Sequence, residues 1–260
     1  KFLKKLKKKQ KKNFKIIIKK FKDNRLKNTL ISNGFISKDI IDIPEYEIYK
    51  LKDQAKIIIL PQVSSSNTPS EYIKYDLDTS CVFIDKNVSL YNQVDNPYSL
   101  QDIKLVMKNL RKIIKTKFDL AFVPYCAASE FPQSFINLKR SNEKKKKISE
   151  RIKKFLLVGK SIECLNIIPA GGSYRLDNIF SKLNKFLAIP NFNQIKNIYK
   201  RFNKSKFNLI NSEESFFIAT KHKIIFKKND FNTHFKSIID KSKKNIGYNK
   251  IRTSFSKKEI

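Results

Sequence analysis

The chain is poor in the residues on which most catalytic and metal-binding motifs depend. It has two histidines, His222 and His234, and three cysteines, Cys81, Cys126 and Cys164, in 260 residues. The histidines stand twelve positions apart with no cysteine or acid at ligand spacing, and the cysteines are scattered, so neither a metal site nor a disulfide framework is expected. Three buried thiols in a reducing interior are the expectation instead. Glycine is scarce as well: the five glycines build neither G-x-G-x-x-G nor G-x-x-x-x-G-K-S/T, and Gly171 with Gly172 before a helix-like run does not make a phosphate loop. Apolar runs such as IIIL at 57–60 and DLAFVP at 119–124 fall far short of the roughly 20 residues that cross a bilayer, so no membrane partner is expected. Asp-rich nuclease patterns are missing too. The sequence therefore reads as a non-enzyme with no catalytic residue and no cofactor.

What is abundant is lysine. Lys+Arg of 56 against Asp+Glu of 23 gives a formal charge of +33, and self-repulsion on that scale implies a polyanionic neighbour. Lys, Asn, Ile and Phe dominate throughout, the pattern of an AT-rich coding bias, so part of the charge is mutational in origin. At 40% hydrophobic residues the chain still has enough apolar surface for a real core. Eleven of the first twenty residues are lysine, with FKIII embedded, which suits a cationic helix on phosphates, a solvated tail or a membrane-surface helix. Charge interrupts every apolar run at the start, which is unlike a secretory signal, and the lack of Arg and Ser is unlike a transit peptide.

Along the chain, residues 26–43 predict a short amphipathic helix broken by Gly34, and 45–51 and 56–60 predict two strands. The Ser, Thr, Pro and Asn content of 62–80 reads as a hinge. A buried strand at Cys81–Asp85, a helix over 99–116 and a strand at Phe118–Val123 read as a right-handed parallel βαβ unit. The loop PYCAASEFPQSF that follows sits where α/β proteins often place ligands, but with no histidine or carboxylate pair it reads as an ordinary loop. KRSNEKKKKISERIKK at 139–154 reads as a solvated or RNA-facing basic helix, FLLVG at 155–159 as a strand, and 193–203 as a further cationic helix. Phe207–Ile210 and Ser215–Thr220 predict a hairpin that Lys223–Phe226 extends. Asp230 then suits an N-cap, with Phe231, Phe235, Ile238 and Ile239 forming one apolar helical stripe, Gly247 a turn, and Ile251–Phe255 a last strand.

In this order the pieces resemble the large-subunit ribosomal protein of the mobile stalk beside the transfer-RNA exit site, universal protein one of that subunit, in a divergent organellar form. DQAKIIILPQV at 53–63 is similar to the family's D-Q-N-V-R-G-x-x-x-L-P-H-G, with Leu60 and Pro61 matching while Gln62 replaces the histidine. KFDLAFV at 117–123 resembles N-F-D-x-V-I-A, and FLAIPN at 186–191 resembles G-L-M-P-N without its glycine. The family's K-A-G-x-V, hairpin, K-x-x-F and helix resemble KSKF at 204–207, the hairpin, KIIF at 223–226 and the helix. RTSFS at 252–256 stands in place of S-T-T-M-G.

The resemblance implies an α/β protein of two domains: a split sheet-plus-helix domain with an inserted Rossmann-like domain. The split domain, 40–65 with 204–260, would bind ribosomal RNA, and the inserted domain, 79–203, would follow a hinge at 66–78. Residues 1–39 would be a basic N-terminal extension and about 131–180 a basic insertion. Lys221, Lys223, Lys250 and Arg252 would lie on phosphates, with Thr253, Ser254, Phe255 and Ser256 against rRNA. The implied function is that of a structural constituent of the large subunit of a mitochondrial ribosome. Transfer RNA and neighbouring ribosomal proteins would be further partners, and the mitochondrial matrix or a plastid-type organelle the location. Two alternatives stand beside it: another, static rRNA-scaffolding organellar ribosomal protein, and a nucleic-acid-processing enzyme.

Overall fold

A computed structural model describes residues 15–21, 23–51, 54–62, 79–86, 88–94, 96–126, 129–171, 174–202, 207–211, 215–220 and 223–228. It places them in an α/β arrangement built on one seven-stranded mixed sheet. Two short strands, β1 (Ile16–Lys19) and β2 (Ile40–Ile43), pair in parallel through helix α1 (Arg25–Ser32), and Ile16, Ile18, Leu30, Phe35 and Ile40 pack between them. The apolar part of the N-terminal arm is therefore a strand and not part of a cationic helix. Three consecutive β-branched residues lose less side-chain freedom in a strand. Gly34, at φ 91°, makes the left-handed turn that ends α1.

The seven strands are β3 (Ile48–Lys50), β4 (Lys56–Leu60), β5 (Ser80–Ile84), β6 (Ser89–Asn92), β7 (Phe118–Pro124), β8 (Cys164–Ala170) and β9 (Asn208–Leu209), paired in chain order across the sheet. The pairings from β3 to β6 are antiparallel, and those from β6 to β9 are parallel. β4 and β5 pair from Lys56↔Ile84 to Leu60↔Ser80, so strands assigned above to two separate domains share one sheet. The segment 63–78, which includes the expected hinge, lies outside the described residues.

The parallel crossover expected between Cys81–Asp85 and Phe118–Val123 starts one strand later. β5 turns back into β6, and it is β6 that precedes helix α2 (Leu100–Ile113) and pairs in parallel with β7. β6 is hard to read in the sequence because Ser89 and Asn92 interrupt its apolar pattern. Ser89 earns its buried place by donating from its backbone N and its Oγ to Asp119 Oδ2, each at 2.8 Å. α2 starts on a capping box in which Ser99 Oγ accepts from Asp102 N and Asp102 Oδ2 accepts from Ser99 N, each at 3.1 Å. It buries Ile103, Val106, Met107 and Leu110.

Helix α3 (Arg140–Ile162) absorbs both the basic run and FLLVG, which is not a strand. Ile148, Ile152, Phe155, Leu156, Gly159 and Ile162 are buried at helical spacing, so the apolar stripe begins inside the basic run and FLLVG continues it. The basic run is thus only half solvated. Gly159 lets α3 approach the sheet: a Cβ there would stand 2.7 Å from Ile167 Cδ1 and 3.3 Å from Phe207 Cζ.

After β8, a 3₁₀ segment (Asn178–Phe186) leads to helix α4 (Phe192–Arg201), which carries its own Asn191–Gln194 capping box. β9 joins β8 in parallel rather than forming the expected hairpin with Ser215–Thr220. The hairpin is formed instead by β10 (Ser215–Thr220) and β11 (Lys223–Lys228), paired antiparallel throughout. One hydrophobic core joins α2, α3, α4 and one face of the sheet, with Ile58, Val82, Tyr91, Ala121 and Ile167 in register beneath the helices. Among the described residues no helix is long and apolar enough to cross a membrane.

Candidate functional site

The buried polar residues are not spread evenly. Ser80, Gln93, Asn96 and Gln133 are each no more than 3% exposed, and all lie at the sheet edge where β6 and β7 end and β5 begins, or in the loop beyond. This edge lies outside the carboxyl ends of the parallel strands, the place where open α/β sheets bind ligands. Much of this buried polarity is satisfied by its neighbours, although Gln133 Oε1 is buried with no hydrogen-bond partner among the described residues. Asn96 Nδ2 donates to Pro61 O at 3.1 Å, Ser80 Oγ at 2.9 Å and Tyr98 Oη at 3.2 Å, while Tyr98 Oη donates to Pro61 O at 2.6 Å. Tyr91 Oη donates to Gln93 Oε1 at 3.3 Å from below. Burial pushes the Tyr98 phenol well up, only partly offset by its hydrogen bonds with Ser80 and Asn96, so it serves as a neutral hydroxyl.

The next loop is pinned in the same way. Tyr174 Oη donates to Ser129 O at 2.6 Å and accepts from Gln133 Nε2 at 3.1 Å, tying the segment after β8 to the loop after β7. Between that loop and α3 lies a cavity of ≈ 240 Å³. Gln93, Pro97, Tyr98, Pro124, Tyr125 and Cys126 form its strand-end wall. The opposite wall is α3, where Lys147, Arg151 and Lys154 follow at i, i+4 and i+7 above Phe155 and Val158.

Arg151 is held in place: its Nη1 donates to Ala188 O at 2.6 Å and lies 2.9 Å from Cys126 Sγ. Lys147 has a loose partner in Glu150 at 3.6 Å, both near half exposure, so little of its charge is neutralised. No carboxylate is among the described residues that line the cavity. Three cations facing an aromatic and prolyl wall form an electropositive, partly apolar concavity, suited to an anion that carries an apolar body.

A second cavity, ≈ 260 Å³, lies at the opposite edge, lined by Lys117, Gly159, Lys160, Glu163, Cys164 and Phe207. Burial pushes its Cys164 thiol up to about 12, which makes it a poor nucleophile, and Cys81 is raised in the same direction. All three cysteines are free thiols; Cys126 and Cys164 are buried and Cys81 half-buried. Among the described residues no group of three His, Cys, Asp or Glu side chains could hold a metal ion.

Of the residues that the sequence marked for rRNA, Lys223 opens β11, and only its backbone is described. Lys221, Lys250, Arg252, Thr253, Ser254, Phe255 and Ser256 lie outside the described residues, as do His222, His234 and the expected helix and strand after Asp230. The cavity is hard to see in the sequence because its two walls come from a loop that reads as ordinary and a basic run that reads as a solvated or RNA-facing helix. The only signal was the i, i+4, i+7 row of cations. That row gains meaning once the buried stripe fixes which side of α3 faces the loop.

No family model and no curated protein matches the chain. Among solved structures it is similar to a mutant of the CmlA beta-hydroxylase, at 10% identity over 70% of this chain and 34% of that one, with a TM-score of 0.43. It is also similar to the "Putative metal-dependent hydrolase" of Parabacteroides distasonis, at 12% identity over 77% of each chain, with a TM-score of 0.35. The chain thus spans about a third of the hydroxylase's length. Both neighbours are named as enzymes, which stands against the expectation of a non-enzyme. At these TM-scores they assign no fold and no activity in its place.

Proposed function

We propose that the protein binds RNA as a constituent of a ribonucleoprotein, with the large subunit of an organellar ribosome as the assembly to which the sequence resemblance points. The observation that carries this reading is α3. Its buried stripe anchors it in the core, while Lys145, Lys146, Lys153 and Lys160 are exposed on the remaining surface. At 23 residues the helix extends about 34 Å, long enough to follow a run of backbone phosphates. The net charge of +33 supplies the surrounding field. Because β4 pairs with β5 over five residues, the reading does not include a hinge between them, and stalk motion is left out of it.

The test is the salt dependence of binding to a short RNA duplex. Replacing Lys145, Lys146 and Lys153 with Gln is expected to weaken binding and to lower the log–log salt slope by roughly two to three, about one per lost phosphate contact. An unchanged slope would exclude α3 as the contact. Co-sedimentation with mitochondrial large subunits tests the assembly. A second reading, an enzyme acting on nucleic acid, is favoured by the cavity at the strand ends, and turnover of end-labelled RNA by the purified chain tests it.

A further inference from the structure

We infer that the cavity between the β7 loop and α3 is a binding site for a single phosphorylated nucleotide, separate from any contact to the phosphate backbone. The argument is the polarity of its two walls. Every cation, Lys147, Arg151 and Lys154, comes from α3, whereas prolines and tyrosines, Pro97, Tyr98, Pro124 and Tyr125, come from the strand ends. A ligand that satisfies both walls has a multiply charged anionic end and a flat or apolar body. A phosphate monoester on a nucleoside has both: the phosphate for the cations, and a base with a π-face for the partly exposed Tyr125, with the buried Tyr98 behind it.

Size narrows the choice. At ≈ 240 Å³ the cavity is smaller than the roughly 300–1,000 Å³ of pockets that enclose drug-sized ligands, so a single nucleotide would more than fill it and project past the half-exposed Lys147 and the exposed Lys154, and a strand cannot run through. The site is also preorganised. Arg151 is fixed by Ala188 O and Cys126, Tyr98 by Pro61 O and Asn96, and Gln93 by Tyr91. These three side chains have little entropy left to lose on binding, while Lys147 and Lys154 still have to be ordered. The nucleotide could be free or the phosphorylated end of an RNA strand. The chemistry recognised is the same, and only the second source rests on the RNA reading above.

The experiment uses calorimetric titration of the full chain at fixed salt with adenosine 5′-monophosphate, adenosine and inorganic phosphate. The nucleotide is expected to bind at least about tenfold more tightly than either fragment, because each fragment engages one wall only. Lys154→Gln is expected to weaken the nucleotide about fivefold or more, whereas Lys104→Gln, which removes an exposed charge on α2 away from the cavity, should leave it unchanged. Arg151→Gln should weaken it further, with its thermal midpoint measured in parallel because Arg151 also anchors the 188 loop.

Two RNA hexamers of one sequence, with a 5′-phosphate or a 5′-hydroxyl, separate the sources. Tighter binding of the phosphorylated hexamer, competed by the mononucleotide, identifies a strand end, and equal binding of both identifies free nucleotide. Nucleotide binding no tighter than that of phosphate, or equal losses for Lys154→Gln and Lys104→Gln, overturns the site. If duplex RNA fails to bind while the nucleotide still does, the RNA reading falls and the cavity assignment stands.

Discussion

Replacing Arg111 with Met tests whether one side chain joins the lower ends of both long helices to the sheet. Arg111 Nη1 donates to Ile114 O at 3.4 Å and to Thr116 O, just beyond the end of α2. Its Nη2 donates to Ile162 O at 3.2 Å and Glu163 O at 3.4 Å, at the end of α3, and its guanidinium lies 4.9 Å from the centre of the Phe118 ring at the start of β7. Ile162 O is one of the carbonyls that a helix C-terminus leaves without an intrahelical partner, Ile114 and Glu163 are the residues that cap the two helices, and a cation there also suits the helix dipoles.

A hydrogen bond with a charged partner contributes about 1.5–3 kcal/mol, but several of these are long and the carbonyls can turn to water, so the total loss is about 2–3 kcal/mol. Met retains the aliphatic stem, which isolates the polar contribution. Urea denaturation should show that loss, and the thermal midpoint should fall by roughly 5–10 °C for a chain of this size. Arg111→Lys should recover less than half, because an ammonium is a point charge and cannot reach carbonyls at two helix ends together. Glu163→Gln should cost under about 0.5 kcal/mol, since that carboxylate, 3.3 Å from Arg111 Nε, is 59% exposed. A loss below about 0.5 kcal/mol for Arg111→Met, or full recovery with Lys, would refute the bracing role.

Two further expectations concern the packing of α3 and β8. Gly159→Val should destabilise by about 1–3 kcal/mol in chemical denaturation, since its Cβ and both methyls enter space held by the fully buried Ile167 and by Phe207; a neutral or stabilising result would show that the helix can lift off the sheet. Cys164 sets a pH dependence. Its thiol is raised by burial from 9.0 to about 12, so above pH 9 the unfolded chain loses a proton that the folded chain keeps, and stability falls as pH rises toward 12. Relative to Cys164→Ala, the wild-type chain should lose up to about 1.4 kcal/mol per pH unit in that window, and parallel stability curves for the two proteins would count against the buried thiol.

Much of the layering was legible in the residues because burial leaves a period. Leu100, Ile103, Val106 and Leu110 announced α2, and Phe118–Val123 announced a strand buried on both faces. Where the period was short or mixed with polar residues, the reading failed. FLLVG looks like a strand taken alone and is the end of a helix once Ile148 and Ile152 set the phase, while β6 disappeared behind Ser89 and Asn92. Ser89 is polar because it faces Asp119, thirty residues away, and no local pattern carries that information.

The sequence by itself determined the quantities that sum over residues: an α/β composition with a substantial core, a large positive charge, and the absence of the common metal and phosphate-loop motifs. These need no partner assignments, since charge adds and periodicity is local. Tertiary structure alone decided the pairings. It put β4 beside β5 and β9 beside β8, and so gathered one sheet from segments the sequence had divided between two domains. It also turned Lys147, Arg151 and Lys154 toward Tyr98 and Tyr125 across a cavity. A site whose walls lie 21 to 65 residues apart, from Cys126–Lys147 to Gln93–Val158, depends on register and helix phase acting together, and both are fixed by the packing of the whole core.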